Sequence, residues 1–264
     1  MCYRCLPRVI NLMLEKCPQL ARLCLLLVFS NMAHAADVRI AVAANFTDAA
    51  RDLITAFSDV TGLEAVASYG STGKLYAQID NGAPFDVFLA ADSRRPELLE
   101  ENSQGVTGTR FTYARGKLAL WSPVPGTFED PKTWLESGEF ARLAIANPKT
   151  APYGFAAQEV LTELGVWESL QSRLVRGDSI AQTFQFVATT NAQSGFVALS
   201  QVRAWDEKGG SLWMIPQSYY SPINQQAILL SRSENKNAAR QWLEFLRSDK
   251  ATGIIEKFGY ETEH

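Results

Sequence analysis

Apolar positions along this chain switch between two periods, and the switching predicts a fold. Residues 38–44 (VRIAVAA) are apolar at nearly every position, as in a central parallel strand covered on both faces. From Ala49 the spacing becomes helical: Ala49, Ala50, Leu53, Ile54 and Phe57 share a face, and Thr61-Gly62 ends the run. Residues 63–69 read as a second strand. Gly70-Ser71-Thr72-Gly73 then opens a second helix, with Leu75, Tyr76 and Ile79 on its buried side. Asn81-Gly82-Ala83-Pro84 stops it, and residues 85–90 (FDVFLA) form a short buried strand. The order β-α-β-α-β implies right-handed crossovers and a doubly wound, mainly parallel sheet.

The pattern continues with a helix over 92–104, with Pro96 in its first turn and Leu98 and Leu99 inward, and strands at 110–115 and 117–121. A Pro-, Gly- and acid-rich loop spans Pro123 to Pro131. A second α/β series comes next. It has a strand at 143–146, a helix face of Ala157, Val160, Leu161 and Leu164, another of Thr183, Phe184 and Val187, and a strand at 195–199. The last stretch returns to the first series with a strand at 226–231, a helix over 238–247 burying Trp242, Phe245 and Leu246, and a final helix capped by Gly259. The prediction is an α/β protein of two lobes, each a mainly parallel sheet flanked by helices. The lobes divide as 36–117, 118–217 and a return segment 218–264; one larger domain is the alternative.

The N-terminal 35 residues stand apart. Arg4, Arg8, Lys16 and Arg22 precede the apolar run 23–29, and Ala33-His34-Ala35 supplies an A-x-A cleavage signal, so the segment reads as a signal peptide. Met13 is an alternative start, and the apolar run is too short to span a bilayer. Export changes the inventory. All four cysteines (Cys2, Cys5, Cys17, Cys24) lie in the leader, and of two histidines only His264 is left. The mature chain thus has nothing from which to build a disulfide framework, a thiol nucleophile, a Ser-His-Asp triad or a His/Cys metal site. It carries 21 basic and 27 acidic residues, a formal charge of −6, which disfavours nucleic acid or an anionic membrane as partner.

Four strand-to-helix junctions share one character: 43–46 (AANF), 70–73 (GSTG), 151–154 (APYG) and 178–181 (DSIA). Each carries small or capping residues and none a Lys or Arg. In open α/β sheets ligands bind beyond the carboxyl ends of the strands, where helix N-termini converge. Four such ends, each with about half a positive charge, would offset a dianion without one basic side chain. Any one junction also reads as ordinary capping: Asn45 could simply cap its helix, and Tyr153 could simply pack.

The segments AVAANFTDAA, YGSTGKLYAQIDNGAPFDVFLAAD, ANPKTAPYGFAAQEVLTELG and GFVALSQV together resemble the periplasmic molybdate-binding proteins of ABC importers, in order and spacing over essentially the whole mature chain. That resemblance implies a two-lobed type II periplasmic binding protein, with a tetrahedral oxyanion held in the cleft by neutral donors. It implies that Asn45 meets the anion through N–H and side chain and Thr72 through its hydroxyl, with Ser71 shaping the turn. It implies that Tyr153 and Ile180 offer backbone N–H groups. Many members carry a Tyr hydroxyl ligand where this chain has Ala198, and the Tyr153 hydroxyl is not counted as its replacement.

The resemblance also implies a monomer that uses no cofactor, takes molybdate or tungstate, docks on a membrane permease and performs no catalysis, the metal arriving inside its oxyanion. A binding protein for sulfate or thiosulfate is the alternative within the class. An enzyme using Asp86, Asp92 or Asp178 as acid and base, and an adhesive surface built on Tyr219-Tyr220 and the tryptophans, are rivals outside it.

Overall fold

The computed structural model describes residues 37–206 and 209–262. The leader over 1–35, its cysteines and alternative start, and His264 lie outside the described residues. Among the described residues ten strands form two five-stranded sheets. The first has the order β2-β1-β3-β10-β4, from β1 (Val38–Ala43), β2 (Ala65–Gly70), β3 (Val87–Leu89), β4 (Phe111–Gly116) and β10 (Ile223–Leu229). The second has the order β7-β6-β8-β5-β9, from β5 (Leu118–Ser122), β6 (Leu143–Ala146), β7 (Leu174–Gly177), β8 (Ser194–Ala198) and β9 (Ser211–Met214). In each sheet three strands pair parallel and one strand, β10 or β5, runs against both of its neighbours. Those two reversed strands come directly after the two crossings between sheets, at Gly116-Lys117 and over 215–222.

Sequence pattern and burial agree along the central strands. β1 is buried at all positions but Arg39, while β2, at a sheet edge, alternates between half-buried and exposed. Helix α1 (Thr47–Thr61) buries Ala49, Ala50, Leu53, Ala56 and Phe57, and ends on Gly62, whose left-handed φ of 71° lets its N–H reach Ser58 O at 2.8 Å. It packs with α8 (Lys236–Leu246) and α9 (Asp249–Lys257) on one face of the first sheet. Trp242 sits edge-on to Phe57 there, ring centres 5.1 Å apart. Helices α2 (Thr72–Asp80) and α3 (Arg94–Glu101) cover the other face with Leu75, Ile79 and Leu99.

The second sheet is sandwiched likewise, by α4 (Pro131–Ser137) and α5 (Pro152–Glu163) on one side and α6 (Ile180–Ala188) and α7 (Leu199–Ala204) on the other. Trp121 stacks on Phe184 at 4.9 Å with Trp205 at its edge, which places these aromatics in the core rather than on an adhesive surface.

The helix predicted over 92–104 is shorter, because Asp92 accepts from the Arg95 N–H at 3.0 Å and so forms the turn that precedes α3. Helices α4 and α7 and strands β7 and β9 were not predicted as separate elements; each has only four to seven residues, too few to display a period. Among the described residues no helix is long and apolar enough to cross a membrane.

Strand register sets where the turns after the strands lie. Ala43 is opposite Gly70 in the β1–β2 ladder, and Ala146 opposite Gly177 in the β6–β7 ladder, so paired strands end level and their turns sit side by side. Trp242, fully buried, anchors the packing of α8 on α1; Trp242→Ala is expected to cost about 3–5 kcal/mol in denaturant unfolding.

Candidate functional site

The level strand ends assemble one cavity. Ala43, Ala44 and Asn45 come at the end of β1, Ser71 and Thr72 after β2, Ala151, Pro152 and Tyr153 precede or open α5, and Ile180 opens α6; Ala91, after β3, completes the wall of a narrow cavity of about 10 Å³. All five residues singled out from the sequence (Asn45, Ser71, Thr72, Tyr153, Ile180) line it, and each is at least nine-tenths buried. No lining residue carries an ionised side chain at neutral pH.

What the wall does carry is hydrogen-bond donors without acceptors. Ser71 is the N-cap of α2, yet its hydroxyl makes no capping bond and has no partner at all. A buried hydroxyl left so costs about 1–3 kcal/mol, which an acceptor entering the cavity would recover. Thr72 Oγ1 accepts from the Ala91 N–H at 3.1 Å, which directs its own proton elsewhere. Pro152 at the first position of α5 has no N–H to offer, so Tyr153 presents the first one. Ser179 caps α6 by accepting from Gln182 N at 3.3 Å, and this leaves the Ile180 N–H outside the helical ladder.

Asn45 is arranged differently from its expected role. It lies in a 3₁₀ turn, Ala44–Phe46, and does not cap α1, whose N-cap is Phe46. Its side-chain Nδ2 donates to Gln225 Oε1 at 2.6 Å and to the Tyr260 hydroxyl at 3.0 Å, with the Tyr153 hydroxyl at 3.5 Å. Its carbonyl oxygen accepts from Tyr260 at 2.7 Å and from Ser200 at 2.9 Å. Both hydrogens of that amide and the carbonyl are therefore committed, and the backbone N–H is the donor left for the cavity.

Residues far away in sequence thus hold the first junction in place. Gln225 is on β10, Tyr260 comes after α9, and Ser200 is on α7, and no local pattern marks them. Gln201 does the same for the fourth junction: its side chain accepts from Ala198 N at 3.1 Å and donates to Ile180 O at 3.2 Å. Ala198 itself does not line the cavity. The Tyr153 hydroxyl packs instead on Gly116, where a β-carbon would come within 2.1 Å of it.

Burial is the first cause that pushes the phenols of Tyr113, Tyr153 and Tyr260 well above the usual tyrosine range, so they stay neutral beside the cavity. The three carboxylates considered as an acid–base set are engaged elsewhere, and none lines the cavity. Asp86 accepts from Arg39 N and the Ser233 hydroxyl, each at 2.7 Å, Asp92 pairs with Arg95, and Asp178 pairs with Lys74 at 2.8 Å.

Two helix-flanked sheets around a cavity of convergent N–H and hydroxyl donors define a solute-binding protein of the two-lobed kind. The chain belongs to the bacterial extracellular solute-binding protein family, whose profile matches residues 38–261. It is 51% identical to the molybdate-binding protein ModA of Azotobacter vinelandii over 86% of this chain and 91% of that one. It is 47% identical to ModA of Rhodobacter capsulatus over 88% and 90%. The solved periplasmic molybdate-binding protein of Azotobacter vinelandii superposes with a TM-score of 0.83, at 40% identity over 86% of this chain and all of that one. The sulfate-binding protein SubI of Mycobacterium tuberculosis (TM-score 0.73 over 86% of this chain and 87% of its own) shares the fold alone, at 11% identity.

Two outcomes are expected of the buried network. Tyr260→Phe removes a donor to Asn45 and Ser200 and should cost about 1–3 kcal/mol in equilibrium unfolding. The raised tyrosines bind their protons more tightly folded than unfolded, so their contribution is fully present below about pH 10 and lost as pH rises through the folded-state values. Denaturant midpoints should hold up to about pH 10 and fall above it, and less so in Tyr153→Phe.

Proposed function

We propose that this protein captures molybdate, and tungstate equally, in the periplasm and as a monomer, and delivers it unchanged to the membrane permease of an ABC importer. Asn45, Tyr153 and Ile180 give backbone N–H groups and Ser71 and Thr72 give hydroxyls. The lobes divide at 36–117, 118–217 and 218–264, a reading that the sheet membership of the strands supports. The observation that carries the ligand class is the neutral cavity with the unpartnered Ser71 hydroxyl in its wall. The names of the relatives at 51% and 47% identity carry the choice of molybdate within that class.

The chemistry of the wall selects as well as holds. Backbone N–H and hydroxyl donors receive a fully deprotonated oxyanion on every side, whereas a protonated one turns an O–H toward donors and leaves it unpaired. The one ionisable group in the lining, the Tyr153 phenol, is pushed by burial well above its usual range, so affinity should be flat with pH around neutrality while the anion stays doubly charged, and fall when the anion itself takes a proton. Sulfate has the same charge and a smaller radius, so the fit of the cavity must distinguish it. Tungstate offers nearly the same size and charge as molybdate.

Thermal unfolding with excess molybdate, tungstate, sulfate or phosphate tests the reading. A ligand bound only by the folded state adds about 4 kcal/mol at a thousand times its dissociation constant. Large shifts with molybdate and tungstate alone are expected; a shift with sulfate and none with molybdate would overturn the assignment. Ser71→Ala should weaken molybdate while leaving the unliganded protein as stable or more so, since it deletes a hydroxyl that has no partner there. Thr72→Ala should weaken both, because Ala91 N–H loses its acceptor.

A further inference from the structure

The first turn of α2 does more than face the cavity: it touches the other lobe. Gly73 N–H donates to Thr150 O at 2.9 Å, across from the first sheet's helix to the loop before α5. Beside it Arg95, held by Asp92, reaches Lys149 O at 3.3 Å, and Lys74 pairs with Asp178 of the α6 junction at 2.8 Å. Three neighbouring features of one lobe therefore seat on the two turns that carry Tyr153 and Ile180.

Gly73 is where backbone meets backbone across that contact. Its φ is not in the left-handed region, so neither turn geometry nor capping asks for glycine there. In a helix, alanine would be the better residue at this position. A β-carbon at Gly73 would instead lie 2.9 Å from Thr150 O, 3.0 Å from Thr150 Cα and 3.1 Å from Arg95 Nη2. Two of those atoms are backbone of the opposing lobe, which cannot swing aside as a side-chain tip can. The Lys74–Asp178 pair is half or more exposed on both sides and, being screened by water, is the weaker element of the contact.

We propose that Gly73 sets how far the two lobes close, and so determines affinity for the bound anion without donating to it. Helix propensity favours alanine while the closed arrangement forbids it, so the glycine serves closure at the expense of the isolated helix. Binding that requires a closed state is weakened by the fraction of molecules unable to reach it. The inference rests on the anion-cleft reading for its affinity arm and on the geometry alone for its closure arm.

The test is Gly73→Ala in the full chain, read by three measurements against wild type: unliganded thermal midpoint, molybdate affinity by calorimetry, and radius of gyration by small-angle X-ray scattering. The expected result is an unchanged or higher unliganded midpoint, an affinity lower by at least about tenfold, and a larger radius in the presence of molybdate. Unchanged affinity, or a midpoint that falls together with affinity, would overturn the proposal, the second because Gly73 would then be a folding residue. If wild type takes up no molybdate, the assignment of ligand fails by itself. Closure is then judged by scattering, where equal radii for the two proteins would overturn it and a larger one in the variant would uphold it. If Gly73→Ala does not fold, the proposal is overturned on the same ground, since Gly73 would then be a folding residue.

Discussion

A buried cavity of hydrogen-bond donors without a countercharge, the place proposed for the anion, constrains everything else in this molecule. Removing a doubly charged group from solvent is costly unless hydrogen-bond donors replace the water around it. Here the cavity wall has no lysine, arginine or histidine. The donors available are those that helices cannot use internally, the N–H groups of their first turns, reinforced by hydroxyls. Such groups are useful only if several helices start at the same place. Parallel strands of equal reach supply this, since β1 with β2 and β6 with β7 end level and release their helices side by side.

Donors this close together must also be held still. Asn45 is fixed by five hydrogen-bond contacts, three donated by its side-chain amide to Tyr153, Gln225 and Tyr260 and two accepted by its backbone carbonyl from Ser200 and Tyr260. Two of those four residues belong to the C-terminal return of the chain, and two to the elements of the other lobe. This gives the return segment a function beyond adding β10 to the first sheet, for it braces the junction where the first strand ends. The tyrosines suit this work because burial keeps them neutral, so they donate and accept without adding a charge beside the cavity.

Much of the fold was legible because its elements obey their periods over long stretches. β1 is apolar nearly throughout and buried at every position but one, and the faces of α1 and α8 read from spacing are the faces that pack. The junctions were legible too, as small and capping residues placed between a strand pattern and a helix pattern. The role of Asn45 was not. An Asn at a strand end looks like a cap, and only the packing shows its side chain turned toward Gln225 and Tyr260, 180 and 215 residues later. Short elements such as α7 and β9 were illegible for a simpler reason, having too few residues to show a repeat.

The sequence by itself indicated the class of site: which residues could donate, that no junction holds a Lys or Arg, and that strand and helix alternate so as to put those donors at helix starts. These are local properties, set by residue type and by spacing within a few turns. Only the tertiary structure decided which donors remain available and how near they come. It committed the Asn45 side chain to a buried network, left the Ser71 hydroxyl without a partner, and brought Gly73 against Thr150. Those outcomes depend on contacts between segments far apart along the chain, where strand register and lobe packing decide and local pattern has no hold.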